Sequence, residues 1–387
     1  MARSTGRFLV TSNVGGEKVR SFVPHPLPPV PPLSISENLQ ALLYDAHASI
    51  GRLDSVSTLL PETSLFLYMY VRKEAVLSSQ IEGTQSSLSD LLAYEADGAP
   101  GAPVSDVQEV SRYVAAMDHG LARIRAGFPL SNRLVREIHE TLLASGRGAE
   151  KVPGEFRVTP VWIGGTRPRN AQFVPPPAPD VPKCMSDLER WMHGDPVQTP
   201  TLIKAALAHV QFETIHPFLD GNGRVGRLLV TLLLCAEGLL SQPMLYLSLY
   251  LKEHRSRYYQ LLMGVRTHGA WEDWLEFFAK GVIETATSAV VTARRLTQQA
   301  QDDRVRIQSI GRIAGNALRV HAALLERPVS SAGTVTARSG LTAPTVNRML
   351  TELTTAGLVR EITGRQRGRL FSYEPYLRIL SEGTEPL

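Results

Sequence analysis

Cysteine is scarce in this chain, with only Cys184 and Cys235 among 387 residues, far apart and in apolar surroundings. That number and spacing exclude a disulfide framework and a cysteine metal knuckle, leave both thiols structural, and fit a reducing cytoplasm. Long apolar runs are lacking too. The longest, residues 228–240, is broken by Glu237 and is too short to cross a bilayer, so it reads as a buried core helix and no membrane partner is expected. No apolar segment follows Arg3 and Arg7, so no signal peptide is expected. The absence of a long-period repeat excludes a solenoid. Charge is modest: a net +4, with 20% charged and 43% hydrophobic residues, excludes a disordered chain. Lysine is missing from residues 301–387, where 12 arginines face 8 acidic residues. That segment therefore accounts for the whole net charge, and polyanion binding is to be sought there.

What is present is mostly helical periodicity, in a chain long enough for one sizeable core and one or two smaller units. Residues 1–35 read as an extended proline-rich arm, because His25-Pro-Leu-Pro-Pro-Val-Pro-Pro-Leu33 cannot form a helix; docking along the body is favoured over binding a partner. Helices are predicted at 36–60, ended by Pro61, at 63–79 and at 87–94, with a turn at Gly98, Pro100, Gly101 and Pro103. More are predicted at 106–126, at 131–145 with Ser131 as N-cap and Gly146 as stop, and at 182–192, 199–214, 224–237, 255–267 and 271–299. Between them, residues 156–163 alternate and meet Gly164-Gly165, and Gln172-Phe-Val174 follows, which predicts a short β-hairpin on a helical body. The tail predicts helices at 313–325, 335–339 and 342–356 and two strands at 358–362 and 369–373, a winged-helix pattern. The domains expected are thus 1–35, 36–100, 101–299 and 300–387, in a mainly α protein.

The segment richest in chemistry is His216-Pro-Phe-Leu-Asp-Gly-Asn-Gly-Arg-Val-Gly-Arg227. It joins two apolar helical stretches, so it is a short loop opening a helix. Gly221 and Gly223 let the backbone fold tightly and approach a ligand, and N–H groups of the first helical turn make an anion nest. Arg224 and Arg227, three apart, share a helix face over that nest and suit a polyphosphate. His216 has the proton affinity to take a proton from an attacking hydroxyl. Asp220 can hold a Mg²⁺ that bridges phosphate oxygens. A structural histidine beside a glycine turn would explain His216 alone, but not the whole constellation.

At every fixed position this segment resembles the Fic family motif, and the resemblance extends over roughly residues 30–290. It includes Pro153-Gly-Glu-Phe-Arg157, Val161-Trp-Ile-Gly-Gly165 and Phe173-Val-Pro-Pro176. The resemblance implies a Fic-type helical core and a protein adenylyltransferase that moves AMP from Mg-ATP to a Tyr, Ser or Thr hydroxyl of an unidentified target protein. It implies His216 as general base, Asp220 as Mg²⁺ ligand, Asn222 on the α-phosphate, Gly221 and Gly223 in the anion hole, and Arg224 and Arg227 on the β- and γ-phosphates. Trp162, Ile163, Gly164 and Gly165 would form a flap that aligns the target by backbone pairing. Tyr258 and Tyr259 are candidates for the nucleotide site, with core packing an equal alternative.

Upstream, Ser78-Ser-Gln-Ile-Glu82-Gly83 reads by itself as a helix end with Gly83 as the C′ residue. Beside a Fic motif it resembles the family's inhibitory motif, of the class that carries it N-terminal to the core. A carboxylate at a helix end can pair with a phosphate-gripping arginine, here Arg227, and take the place of the γ-phosphate. Other readings stay open: removal of AMP, transfer of UMP or another nucleotide, or a DNA-binding regulator whose Fic domain senses nucleotide. Self-modification, a homodimer and DNA binding by the tail, through Asn347, Arg348, Arg365, Arg367 and Arg369, also stay open.

Overall fold

The computed structural model describes residues 3–12, 18–59, 63–97 and 103–386. Two strands come first, β1 (Gly6–Ser12) and β2 (Lys18–Pro24), then α1 (Glu37–Leu59), α2 (Thr63–Ile81), α3 (Leu88–Asp97), α4 (Val104–Arg125) and α5 (Asn132–Leu142). There follow α6 (Val181–Met192), α7 (Thr201–Ile215), α8 (Asn222–Ala236), α9 (Ser248–Glu253), α10 (Arg255–His268) and α11 (Trp271–Gln308). The chain ends with α12 (Ala314–Glu326), β3 (Val329–Ser331), α13 (Ala332–Ser339), α14 (Ala343–Thr355), β4 (Val359–Glu361), β5 (Leu370–Tyr373) and α15 (Glu374–Leu380). The protein is mainly α, as the periodicity predicts. Among the described residues no helix is long and apolar enough to cross a membrane.

The differences from the sequence reading are local. The arm is not extended throughout: β1 and β2 pair antiparallel, Gly6 opposite Pro24 and Ser12 opposite Lys18, and the proline-rich stretch after Pro24 lacks regular structure. Alternation over so short a hairpin was masked by its polar residues. That stretch does dock along the body, where Gln211 Nε2 donates to His25 O at 2.9 Å and Ser34 N–H donates to Glu272 Oε1 at 2.7 Å. The hairpin predicted over 156–174 is reduced to one antiparallel bridge between Ile163 and Phe173, since Gly164 and Gly165 and the prolines around them interrupt the ladder. The short elements α9, β3 and α15 had no periodicity long enough to read. The breaks expected at Pro61, Gly98, Pro100 and Gly101 lie outside the described residues.

The chain packs into two compact units, each assembled from two separated stretches: residues 1–54 with 112–286, and 55–111 with 287–387. In the first unit the centre is α7, which is buried on all sides along nearly its whole length. It lies against α8, α6, α10 and β2. Trp191, Phe212, Phe218 and Trp274 are each wholly buried in this unit, worth about 1.5–3 kcal/mol per large side chain. Close approach of α7 and α8 depends on Gly226, where an added Cβ would stand 2.6 Å from Glu213 Oε1.

In the second unit β3, β5 and β4 form an antiparallel sheet in that order, with Val329 opposite Ser372 and Val359 opposite Tyr373. Helices α12, α13 and α14 pack on one another, and α3 packs against β3 and β5. Tyr373 ties the sheet to α11, since its hydroxyl donates to buried Asp303 at 2.7 Å and accepts from His321 Nε2 at 3.0 Å.

Candidate active site

The loop between α7 and α8 is set by three backbone choices. His216 ends α7 in the left-handed region, φ +50, a conformation non-glycine residues seldom adopt, while its N–H still bonds to Phe212 O at 2.9 Å. Gly221 begins α8 at φ +75, where glycine is the inexpensive choice. Between them the side chain of Asn222 staples the loop, its Oδ1 accepting from Phe218 N–H and its Nδ2 donating to Phe218 O, both at 2.9 Å. His216 therefore stands at the mouth of a helix whose first N–H groups have no intrahelical acceptor.

Two residues that sequence reasoning assigned no role hold this geometry. Arg157 is buried, and its guanidinium donates to the carbonyls of His216 at 2.8 Å, Pro176 at 2.6 Å and Ile215 at 3.3 Å. Its own N–H bonds to Pro217 O at 2.9 Å. Burial lowers its pKa to about 10, so it stays charged at neutral pH. Its only sequence signal was its place in Pro153-Gly-Glu-Phe-Arg157. His139, on α5, stacks on Phe218 with centroids 3.7 Å apart. Its Nδ1 accepts from Gly154 N–H at 2.9 Å, which leaves Nε2 to donate to Asp220 O at 3.1 Å. Burial pushes its pKa down to about 4, so the ring is neutral, as this bonding requires.

Arg157 thus acts as a positioning residue. Arg157→Lys offers a compact ammonium where a planar fork served four carbonyls, Thr159 O among them. We expect kcat to fall roughly tenfold or more with KM little changed, since each lost charge-assisted bond is worth about 1.5–3 kcal/mol. Equal kcat in the two proteins would show that Arg157 does not orient His216.

The charged groups gather on α8. Arg224 and Arg227 are both buried in its first two turns. Asp220 is partly exposed; its Oδ1 accepts from Gly221 N–H at 2.6 Å and lies 3.5 Å from Arg224 Nη2. Gly148, at φ +88, leaves room for this carboxylate, because a Cβ there would stand 2.9 Å from Asp220 Oδ2. Behind α8, His209 Nδ1 donates to Gly226 O at 3.0 Å while Nε2 accepts from Tyr258 Oη at 2.9 Å. Burial lowers the His209 pKa to about 4. Tyr258 is thereby a core residue packed near Trp274, whereas Tyr259 is 40% exposed. The structure brings His216, Asp220, Gly221, Asn222, Gly223, Arg224 and Arg227 into one loop and helix start.

Around the Ile163–Phe173 bridge, Trp162, Gly164 and Gly165 are exposed and Ile163 half-buried. Gly164 and Gly165 have φ +68 and +76, and a Cβ on Gly165 would meet Asn170 O at 2.4 Å. Arg266 lies over the buried Phe173 ring at 4.1 Å and anchors the base of this loop. Ser78, Glu82 and Gly83 belong to the second unit, at the end of α2. There Ser78 is buried, Glu82 half-buried and Gly83 exposed at φ +100.

Among the described residues no group of three or more His, Cys, Asp or Glu side chains could hold a metal ion. A lone carboxylate beside an anion nest fits Mg²⁺ nonetheless, because that ion is usually held by one or two carboxylates together with substrate phosphates.

Two family models match stretches of this chain. Residues 40–122 match the Fic/DOC family N-terminal region and residues 129–234 match the Fic/DOC family. Protein adenylyltransferase Fic of Drosophila erecta is 31% identical over 163 residues, 42% of this chain and 30% of that protein. Its counterpart from Drosophila melanogaster matches to the same extent. The chain thus spans about a third of the length of these curated relatives. Among solved structures, a Fic family protein from Desulfovibrio desulfuricans shares the fold with a TM-score of 0.58 at 23% identity, covering 88% of this chain and 97% of that one. A Fic domain containing signaling protein from Bacteroides thetaiotaomicron aligns with a TM-score of 0.53 at 21% identity, covering 65% and 97%.

Proposed function

We infer from the Fic/DOC domain that this chain carries, which classes it with the nucleotidyltransferases, that the protein transfers AMP from Mg-ATP to a Tyr, Ser or Thr hydroxyl of a protein. The observation that carries this reading is His216 in a left-handed turn, directly before the helix start that bears Arg224 and Arg227. In it, His216 takes the proton of the target hydroxyl as the oxygen bonds to the α-phosphorus. The bond to the bridging β-phosphate oxygen breaks, and pyrophosphate leaves. The buried guanidinium groups of Arg224 and Arg227 hold the β- and γ-phosphates, and the backbone N–H groups of Asn222 and Gly223 face the developing charge. The Asn222 side chain serves chiefly to close the loop, since both its amide atoms are engaged by Phe218. Asp220 would hold Mg²⁺, which when bound neutralises charge on the phosphate oxygens. The exposed backbone around Trp162–Gly165 receives the target segment, and Tyr259 flanks the nucleotide.

Ser78, Glu82 and Gly83 form the built-in restraint on this reaction, on the strength of their motif and of the helix end that Gly83 makes. Two free cysteines suit a reducing, cytoplasmic setting. Intact-protein mass spectrometry after incubation with Mg-ATP tests the function through the gain of one AMP unit, on the protein itself or on a target from lysate. Covalent transfer from UTP but not ATP would reassign the nucleotide. Tight ATP binding with no covalent product under any condition would favour a sensor instead.

A further inference from the structure

We propose that the C-terminal region is a winged helix that binds duplex DNA through α14 and the loop between β4 and β5. The element order α12, β3, α13, α14, β4, β5, with β5 central in the sheet, is the winged-helix order. Helix α14 buries Val346, Met349, Leu350 and Leu353, and its opposite stripe of Pro344, Asn347, Arg348, Thr351 and Thr355 is exposed. That stripe carries one cation, no acid and no large apolar side chain. A protein partner would want an apolar anchor there, whereas short polar side chains on a helix suit a major groove roughly 12 Å wide.

The wing agrees. Gly364 and Gly368, at φ +62 and +65, bracket the exposed residues Arg365, Gln366 and Arg367. Arg369 Nη2 donates to Asn347 Oδ1 at 3.4 Å and joins wing to helix. The wing's acid, Glu361, is turned onto the backbone, accepting from Thr363 N–H at 2.8 Å and Gly364 N–H at 3.0 Å. Helix α3 packs against β3 and β5, whereas the α14 stripe and wing residues 364–368 are exposed.

The test is fluorescence anisotropy of the full chain with a labelled mixed-sequence duplex of roughly 30 base pairs. Binding should weaken about 40-fold between roughly 50 and 200 mM salt if Arg348, Arg365 and Arg367 each meet a phosphate. Replacing those three exposed arginines with alanine should remove most of that salt dependence, and Arg133→Ala, on α5, should leave it intact. No binding at the lower salt, or a triple variant that binds like wild type, would overturn the proposal.

A different observation carries a second inference, which rests on the restraint assigned to Glu82. The chain end is bonded to the helix that bears it. Gln80 Nε2 donates to Thr384 O at 2.8 Å and Lys73 Nζ to Glu382 O at 2.7 Å, with Gln80, Lys73 and Thr384 all buried. The Glu382 carboxylate is in turn held by Arg295 of α11 through two bonds of 2.7 Å. We infer that residues 381–384 latch α2, so that loosening this segment releases the inhibitory helix end. Truncation after Leu380, and separately Gln80→Leu, should raise amide exchange over residues 76–83. Both should raise transfer severalfold, with no further gain when combined with Glu82→Gly. A rise with Glu82→Gly but none with either latch variant would sink the latch alone. No rise with Glu82→Gly would sink the inhibition reading beneath it.

Discussion

His216→Ala is expected to reduce AMP transfer by roughly 10²- to 10⁴-fold, the usual contribution of a positioned general base, and so to undetectable levels in intact-protein mass spectra. Phosphate binding should survive, because Arg224, Arg227 and the N–H groups that would supply it are carried by α8. The fold should survive as well. Bonds that set the loop are made by the His216 backbone and by Arg157, Asn222 and His139. The measurement is therefore paired: the mass gain of one AMP unit, and ATP affinity by calorimetry. Loss of transfer with affinity retained assigns the proton-transfer role. An alanine variant that still transfers within tenfold of wild type would remove His216 from the chemistry, and the reading of the whole loop with it.

The second large effect is opposite in sign. Glu82→Gly is expected to raise transfer by roughly 10- to 100-fold, the equivalent of the 1.5–3 kcal/mol that a charge-assisted bond between a carboxylate and a guanidinium typically contributes. Stability should change little, since Glu82 is only half-buried and lies at the very end of α2 beside Gly83. Initial rates with a confirmed acceptor decide the matter. Equal rates for wild type and variant would leave Ser78-Ser-Gln-Ile-Glu82-Gly83 as an ordinary helix end.

Much of the site was legible in the one-dimensional order because the chemistry is contiguous. A base, a carboxylate, two glycines and two arginines lie within twelve residues, and a loop that opens a helix needs no long-range contact to bring them together. The helices were legible for a similar reason, since a period of 3.6 residues is a local property. Most of their ends shifted by a few residues, as at α8, which begins at Asn222 because Gly221 can take a positive φ, while α11 runs on past 299 to Gln308.

What escaped were features made by contact across the chain. Arg157 lies 59 residues before His216 and was an unassigned cation until its guanidinium was seen on four carbonyls. His139 was a residue of a helix until its ring was found flat on Phe218 and bonded to Asp220 O. Tyr258 illustrates the reverse: it could line a nucleotide site or the core, and its hydroxyl on buried His209 places it in the core. The pairing of β1 with β2 and the reduction of the predicted hairpin to one bridge were decided by which strands found partners, which no local pattern encodes.

Sequence alone thus determined the helical class and the loop and helix start that gather His216 to Arg227, because each depends on residues near one another in the chain. Tertiary structure decided which buried groups hold that loop in shape, and that the helix bearing Glu82 packs in one unit with the C-terminal sheet, bonded to residues 382–384. Those facts depend on burial and on hydrogen bonds between residues tens to hundreds of positions apart, and only folding establishes them.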